Sequence, residues 1–292
     1  MVSDAAVMPP QIRALRDRLG EEVTSWLKIS DRRGSCAWRV ETAQRTVALK
    51  TLSSVPDPER NKALEIAAEI RTMSRLVQDG AIDPSYPVAS GYAGCSPWSA
   101  VAWLSGRPVW EAFADAREKD TPQVRDHVRK ITTTWASGLA RMHAHGWAQG
   151  DVQPTNTIIG AERAHLIDYA LSHPVGEAHT GLPYRGAITH TMAPEIAAAL
   201  RSTDERVHVP PTPQADVWAL GASLFWCWTG QRPGAYPQDM PREGKLSVLA
   251  GARLRPLHRV RPWPWPEFEE LLISCLDVDP PRRPTAGEIA AW

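Results

Sequence analysis

Gln149-Gly150-Asp151-Val152-Gln153-Pro154-Thr155-Asn156 places an acid and an amide five residues apart in a stretch interrupted by proline. It lies between a long helical pattern, Val124–His145, and a short apolar run, Thr157–Ile159. A second acid, Asp168, follows another short apolar run at His165–Ile167. Carboxylate and amide oxygens suit a hard cation such as Mg²⁺, and a further carboxylate suits an attacking hydroxyl. The same spacing also fits a turn with Asx caps, so the surroundings decide between the two.

Upstream, Val47-Ala48-Leu49-Lys50 ends an apolar strand in a lysine. A charge on a buried strand needs a partner. Glu69 can supply it from a helix predicted over Glu59–Val77, whose apolar positions are Leu64, Ala67, Ala68, Ile70, Met73 and Leu76. Glu65 is the rival, but Glu69 is followed at helical spacing by Met73 and Leu76. Pro56-Asp57-Pro58 breaks the chain before that helix. Further out, Gln11–Leu19 reads as an amphipathic helix ended by Gly20. Strands are expected around Val23–Ile29, Trp38–Val40 and Thr46–Leu49, with polar turns at Asp31–Gly34 and Ala43–Arg45, and two more within Tyr86–Trp103. Downstream, segment 168–195 has little periodicity, and a loop of that length is usually functional or mobile. Helical patterns resume at Ala215–Trp228 and Phe268–Leu276, with Pro-rich loops at Val209–Pro213 and Arg261–Pro266.

The composition narrows the classes. With 292 residues, 43% of them hydrophobic, the chain can build one large core or two unequal lobes. Its formal net charge is zero, so no basic surplus points to nucleic acid or an anionic membrane. The four cysteines are widely separated and suggest neither a zinc site nor a disulfide framework, which fits a reduced, cytoplasmic setting. No apolar run is long enough to span a membrane, and Met1–Pro10 does not read as a signal peptide. The end at Trp292, soon after the last motif, leads to the expectation that no receptor or membrane domain follows. Most of the 13 tryptophans are expected in the core.

In this order, a strand Lys, a helix Glu, a loop Asp and Asn, and a metal-binding Asp resemble the signature set of the eukaryotic-type, serine/threonine protein-kinase-like superfamily. Further motifs carry the resemblance along nearly the whole chain. Leu139–Gly146 is similar to the helix end before a kinase catalytic loop, and Met192-Ala193-Pro194-Glu195 to the end of an activation segment. Asp216–Gly221 is similar to the central large-lobe helix, with Thr229-Gly230 and Pro233 just after it, and Asp279–Thr285 to the closing motif.

The resemblance implies an α+β, two-lobed fold. Residues 1–104 would form a small antiparallel sheet with one long helix, and residues 105–292 a mainly helical lobe. It implies ATP and Mg²⁺ as cofactors. Lys50 would contact the phosphates with Glu69 fixing it, Asp151 would orient the acceptor hydroxyl and take its proton, and Asn156 and Asp168 would ligate magnesium. The adenine would sit against backbone groups of Val101, Trp103 and Leu104, towards Ser105. Glu195 and Arg283 would form a buried ion pair, and Asp216 would hold the catalytic-loop backbone.

The chain also departs from that family. Arg33-Gly34-Ser35-Cys36-Ala37-Trp38-Arg39-Val40 has one glycine where G-x-G-x-x-G is expected, although Gly34, Ser35 and Ala37 are small enough for backbone to approach phosphate. Gln149-Gly150 replaces the usual His-Arg, so an activation-loop phosphate loses its receiving arginine; Arg185 is the substitute to consider. Gln153 stands where a lysine would reach the transferred phosphoryl group, and Asp168-Tyr169-Ala170 replaces Asp-Phe-Gly. Gly150-Asp151 with Asn156 also resembles aminoglycoside-type phosphotransferases, which lack the Glu195, Asp216–Gly221 and Arg283 motifs. The expected acceptor is a peptide or protein Ser/Thr hydroxyl. The alternatives are a small-molecule hydroxyl, or a pseudokinase that binds and scaffolds.

Overall fold

The computed structural model describes residues 7–32, 34–54, 61–178 and 183–292. Arg33, the break at Pro56–Pro58 and the expected helix start at Glu59 lie outside them. The chain divides into two compact units, Met1–Trp103 and Leu104–Trp292. Among the described residues no helix is long and apolar enough to cross a membrane.

Among the described residues, the first unit is an antiparallel sheet with two helices. Helix α1 (Pro10–Leu19) starts on a proline, whose fixed φ suits a first turn, and ends on Gly20 in the left-handed region. Strands β1 (Val23–Arg32), β2 (Ser35–Thr42), β3 (Thr46–Leu52), β4 (Pro87–Ala93) and β5 (Ser96–Ala102) pair in the order β1-β2-β3-β5-β4. Successive strand side chains point to opposite faces. In β3, Val47 and Leu49 are therefore buried on one face with Val40, Trp98 and Ala100, and α1 covers that face through Ile12 and Leu15. Lys50 points the other way and pairs in register with Ala37 and Ser99.

Helix α2 (Lys62–Gln78) is capped by Asn61, whose side chain accepts the Leu64 amide at 3.3 Å. Its buried stripe is Ile66, Glu69, Met73 and Leu76. Leu64, expected on that stripe, is 52% exposed. The helix is rotated so that Glu69 itself belongs to the buried face, which leaves Leu64 outside it. The expected polar turn at Asp31–Gly34 is also shorter than anticipated. β1 continues through Arg32, which pairs with Ser35, and Gly34 closes the hairpin at φ 75°.

The second unit is mainly helical. After β6 (Arg107–Pro108) and α3 (Val109–Ala112), the long helix α4 (Pro122–Ala144) buries Val128, Ile131, Trp135, Leu139 and Met142. Short strands β7 (Trp147–Ala148), β8 (Thr157–Ile159), β9 (Ala164–Leu166) and β10 (His173–Pro174) form two small antiparallel sheets, β6-β8-β9 and β10-β7. Helices α5 (Pro194–Ser202), α6 (Pro213–Thr229), α7 (Arg242–Ala250), α8 (Leu257–Val260), α9 (Pro266–Cys275) and α10 (Ala286–Ala290) follow. α6 is apolar on all sides and buried along most of its length, as a central core helix must be. Trp98, Trp135, Trp147, Trp218, Trp228 and Trp265 are fully buried, while Trp110 is 39% exposed.

Candidate active site

In the first unit, Lys50 donates Nζ to Glu69 Oε2 at 2.7 Å. Glu69 is nearly buried and Lys50 is partly open. Glu65 is paired with Lys62 instead, which separates the two candidate partners of Lys50. Gly34 and Ser35, expected at the phosphates, sit at the tip of the β1–β2 hairpin, where the Gly34 carbonyl accepts the Ser53 amide at 3.0 Å. Val101 pairs with Ala48 in the sheet. Trp103 donates its amide to the Thr46 carbonyl at 3.1 Å. Leu104 is the first residue of the second unit.

In the second unit the loop between β7 and β8 gathers the remaining residues. Asn156 donates Nδ2 to Asp151 Oδ2 at 2.7 Å and to the Asp151 carbonyl at 3.1 Å. Gln153 donates Nε2 to Asp151 Oδ1 at 2.7 Å, and its own Oε1 accepts the Thr155 hydroxyl. Each carboxylate oxygen of Asp151 therefore has an amide donor. Burial, and secondly the Asp168 carboxylate, lift the Asp151 pKa to about 7, against the opposing pull of those donors. A group poised there can exchange a proton near neutrality.

Asp168 has φ 60°, a conformation that non-glycine residues adopt only under constraint and that costs of order 1–3 kcal/mol. Gln149 is part of that constraint. Its side chain is buried, donates Nε2 to the Asp168 carbonyl at 3.1 Å and accepts the Asp151 amide on Oε1 at 2.6 Å. The residue in the usual histidine position thus bridges the two acids, a role its replacement in the motif did not announce.

The backbone of this loop is fixed from α6. Asp216, in the first turn after the Thr212 cap, accepts the Gln149 amide at 2.6 Å and the Gly150 amide at 2.9 Å. His143 Nε2 lies 3.0 Å from the same carboxylate. Ser172 donates its hydroxyl to the Gln149 carbonyl at 3.1 Å. Gly150 has φ 77°, and a Cβ there would meet the Leu171 carbonyl oxygen at 2.5 Å. The position therefore admits glycine for two independent reasons.

Arg283 donates to both Glu195 oxygens, at 2.7 and 2.8 Å, and to the carbonyls of Gln214 and Asp277. Its side chain is fully buried, whereas Glu195 retains 29% exposure, so the expected buried pair is buried on one side only. Arg185 does not substitute for the missing phosphate receptor. Its guanidinium donates to the Leu200, Thr203 and Val207 carbonyls and to the Thr203 hydroxyl, and so ties down the end of α5.

The donor set fits Mg²⁺. Asn156 directs its nitrogen at Asp151, so its amide oxygen and the Asp168 carboxylate are the oxygens that would hold such a cation. Among the described residues no cluster of three or more His, Cys, Asp or Glu makes a closed metal cage. Few protein oxygens supplemented by phosphate are how Mg²⁺ is usually held.

Nearby, His190 lies 3.1 Å from the Tyr236 hydroxyl and edge-on to Trp226. Burial, then the charges of Arg232 and Lys245, lower its pKa to about 4. The unfolded chain therefore binds more protons between about pH 6.5 and 4, so this contribution to stability is complete above that window and lost as pH falls through it. Melting curves from pH 7 to 4 should show a flatter pH dependence for His190→Gln than for the parent. Parallel profiles would contradict this.

Comparison with known proteins agrees with the geometry. The family described as "Protein kinase domain" matches residues 34–291. The chain is 25% identical over 195 residues to "Probable serine/threonine-protein kinase PkwA" of Thermomonospora curvata, covering 67% of this chain and 24% of that one. It is 29% identical over 163 residues to the mouse (Mus musculus) serine/threonine-protein kinase SBK2, covering 54% and 43%. Against mitogen-activated protein kinase kinase 3 of Arabidopsis thaliana it is 25% identical over 257 residues, covering 84% and 44%. The aligned part is thus less than half the length of each of these relatives.

Proposed function

Because the chain belongs to the protein kinase domain family, matched from residue 34 to residue 291, we propose that it is an ATP- and Mg²⁺-dependent phosphotransferase acting on a Ser/Thr hydroxyl of a peptide or protein. The observation that carries this is the Asp151 carboxylate, held by Asn156 and Gln153, with Gln149 bridging the Asp151 amide to the Asp168 carbonyl. Asp151 orients the acceptor hydroxyl and receives its proton as the phosphoryl group moves. Asn156 and Gln153 keep the carboxylate in one orientation, so little rearrangement is needed at reaction. Lys50, positioned by Glu69, binds phosphate oxygens. Asn156 and Asp168 would hold Mg²⁺, which supplies charge neutralisation at the phosphates.

A peptide acceptor is favoured over a small molecule by the Glu195–Arg283 pair and by the Asp216 anchor, which belong to the protein-kinase motif set. Activity without a phosphate on segment 168–195 is part of the same reading, since Gly150 offers no cation and Arg185 is engaged elsewhere.

The first test is binding. ATP with Mg²⁺ at about 100 times its dissociation constant should stabilise the protein by roughly 2.7 kcal/mol, and ATP with excess chelator should give a smaller shift. Calorimetry that detects no nucleotide binding at millimolar ATP–Mg²⁺ would leave only a scaffolding role.

A further inference from the structure

Segment 168–195 touches the catalytic loop through Tyr184, a residue the sequence motifs do not single out. Its hydroxyl donates to the Gly150 carbonyl at 2.7 Å. The aromatic ring packs against the core of α5, α6 and α7. The Tyr184 backbone is fixed at both ends: its amide donates to His208 Nδ1 at 2.9 Å, and its carbonyl accepts the Val209 amide at 3.1 Å. Burial, reinforced by the Asp216 and Asp151 charges, pushes the phenol pKa far up, so the hydroxyl keeps its proton.

The receiving carbonyl belongs to the peptide unit joining Gly150 to Asp151. That unit is planar and turns as one piece. Its oxygen is held by Tyr184 and its N–H by Gln149 Oε1 at 2.6 Å. The unit before it is held by Asp216 through the Gly150 amide. At φ 77°, Gly150 has wide backbone freedom, and without these contacts the glycine would let the following plane rotate. Any such rotation would swing the Asp151 side chain.

We propose that Tyr184 is a positioning residue for phosphoryl transfer, its hydroxyl clamping the Gly150–Asp151 peptide plane so that the Asp151 carboxylate stays aimed at the acceptor. The inference rests on the reading of Asp151 as the group that receives the hydroxyl proton. Tyr184 and Asp151 line one recess with Ile188, Thr191 and Met192, so the clamp also ties the placement of the base to the segment facing it. A neutral hydrogen bond thereby does locally, and permanently, what a phosphate bound to an arginine would do reversibly.

The test is a double-mutant cycle on the full chain. Phosphate transfer from labelled ATP to a degenerate peptide mixture containing Ser and Thr is measured for the parent, Tyr184→Phe, Asp151→Asn and the double variant. Rates are normalised to ATP-binding sites counted by titration, so that unfolded material does not contribute. Tyr184→Phe keeps the ring and its packing and removes only the donor. It should lower kcat about tenfold, the scale of one net hydrogen bond, with KM for ATP unchanged. In the Asp151→Asn background the same change should alter the rate less than about twofold, because residues acting as a unit are not additive. Equal factors in both backgrounds would mean that the Tyr184 hydroxyl acts independently of Asp151 and would overturn the proposal. So would a parent-like kcat for Tyr184→Phe beside an impaired Asp151→Asn. Parent-like transfer by Asp151→Asn itself would remove the reading of Asp151, and the role of Tyr184 with it.

Discussion

Asp151→Asn is expected to slow phosphoryl transfer by about 10²–10⁴-fold, the usual contribution of a positioned general base, while ATP binding stays close to that of the parent. The substitution keeps size and shape. It removes the charge and the basicity, and it sets an amide NH₂ against one of the two donors, Asn156 and Gln153, that now point at carboxylate oxygens. Folding should not suffer in proportion. The folded protein raises the Asp151 pKa to about 7, so its stability declines as pH rises from about 4 through 7, when the carboxylate must ionise in a poorly solvated place. An uncharged residue escapes that loss. The thermal midpoint at pH 8 should therefore be retained or raised while turnover collapses, which separates chemistry from stability. Asp168→Asn should differ. It weakens the cation site, so nucleotide binding in the presence of Mg²⁺ and turnover should fall together. Titration and turnover of the two variants side by side check both statements. An Asp151→Asn variant that turns over like the parent would reduce the Gln149–Asn156 loop to a structural remnant.

Glu195→Ala is expected to destabilise the protein by about 3 kcal/mol. Removing one partner of a buried pair typically costs about 3–5 kcal/mol. The lower end applies because Glu195 is 29% exposed, although the Arg283 side chain left behind is fully enclosed. The Gln214 and Asp277 carbonyls and the Trp218 ring soften the loss but do not neutralise the guanidinium. For a unit of this size the midpoint should drop by roughly 6–12 °C. The effect should reach the site as well. Arg283 binds Gln214 in the first turn of α6, two positions from Asp216, which fixes the Gln149 and Gly150 amides. Loss of turnover below the melting range would show that coupling. A Glu195→Ala variant that melts like the parent would mean that the pair contributes nothing net.

Much of the scaffold was readable from strong periodicity or from long apolar runs. β3 alternates between an apolar face and Lys50, and α4 and α6 are long, capped and unambiguous. α7 was not readable. Its first turn is polar and its buried residues, Leu246, Val248 and Leu249, follow no clear helical stripe; packing against α5 makes it a helix. Leu64 lies off the buried stripe because an acid, Glu69, occupies the face that apolarity alone would give to leucines. Asp151, Asn156 and Asp168 stood out by spacing and order, and Lys50 with Glu69 by the need of a buried charge for a partner. Gln149 and Tyr184 did not stand out. One was visible only as a departure from a motif and the other only as an aromatic residue in an aperiodic loop. Their roles depend on carbonyls and amides that come together in three dimensions.

The most direct measurement is transfer itself. The protein, shown by calorimetry to bind ATP–Mg²⁺, is incubated with γ-labelled ATP and a degenerate peptide mixture containing Ser and Thr, and the peptides are analysed by mass spectrometry for labelled phosphoester. The account predicts labelled Ser or Thr with the parent, without prior phosphorylation of segment 168–195, and at least a hundredfold less with Asp151→Asn. Parent protein that binds ATP–Mg²⁺ but leaves every peptide unlabelled, or that labels them as well with Asp151→Asn as without it, would contradict it.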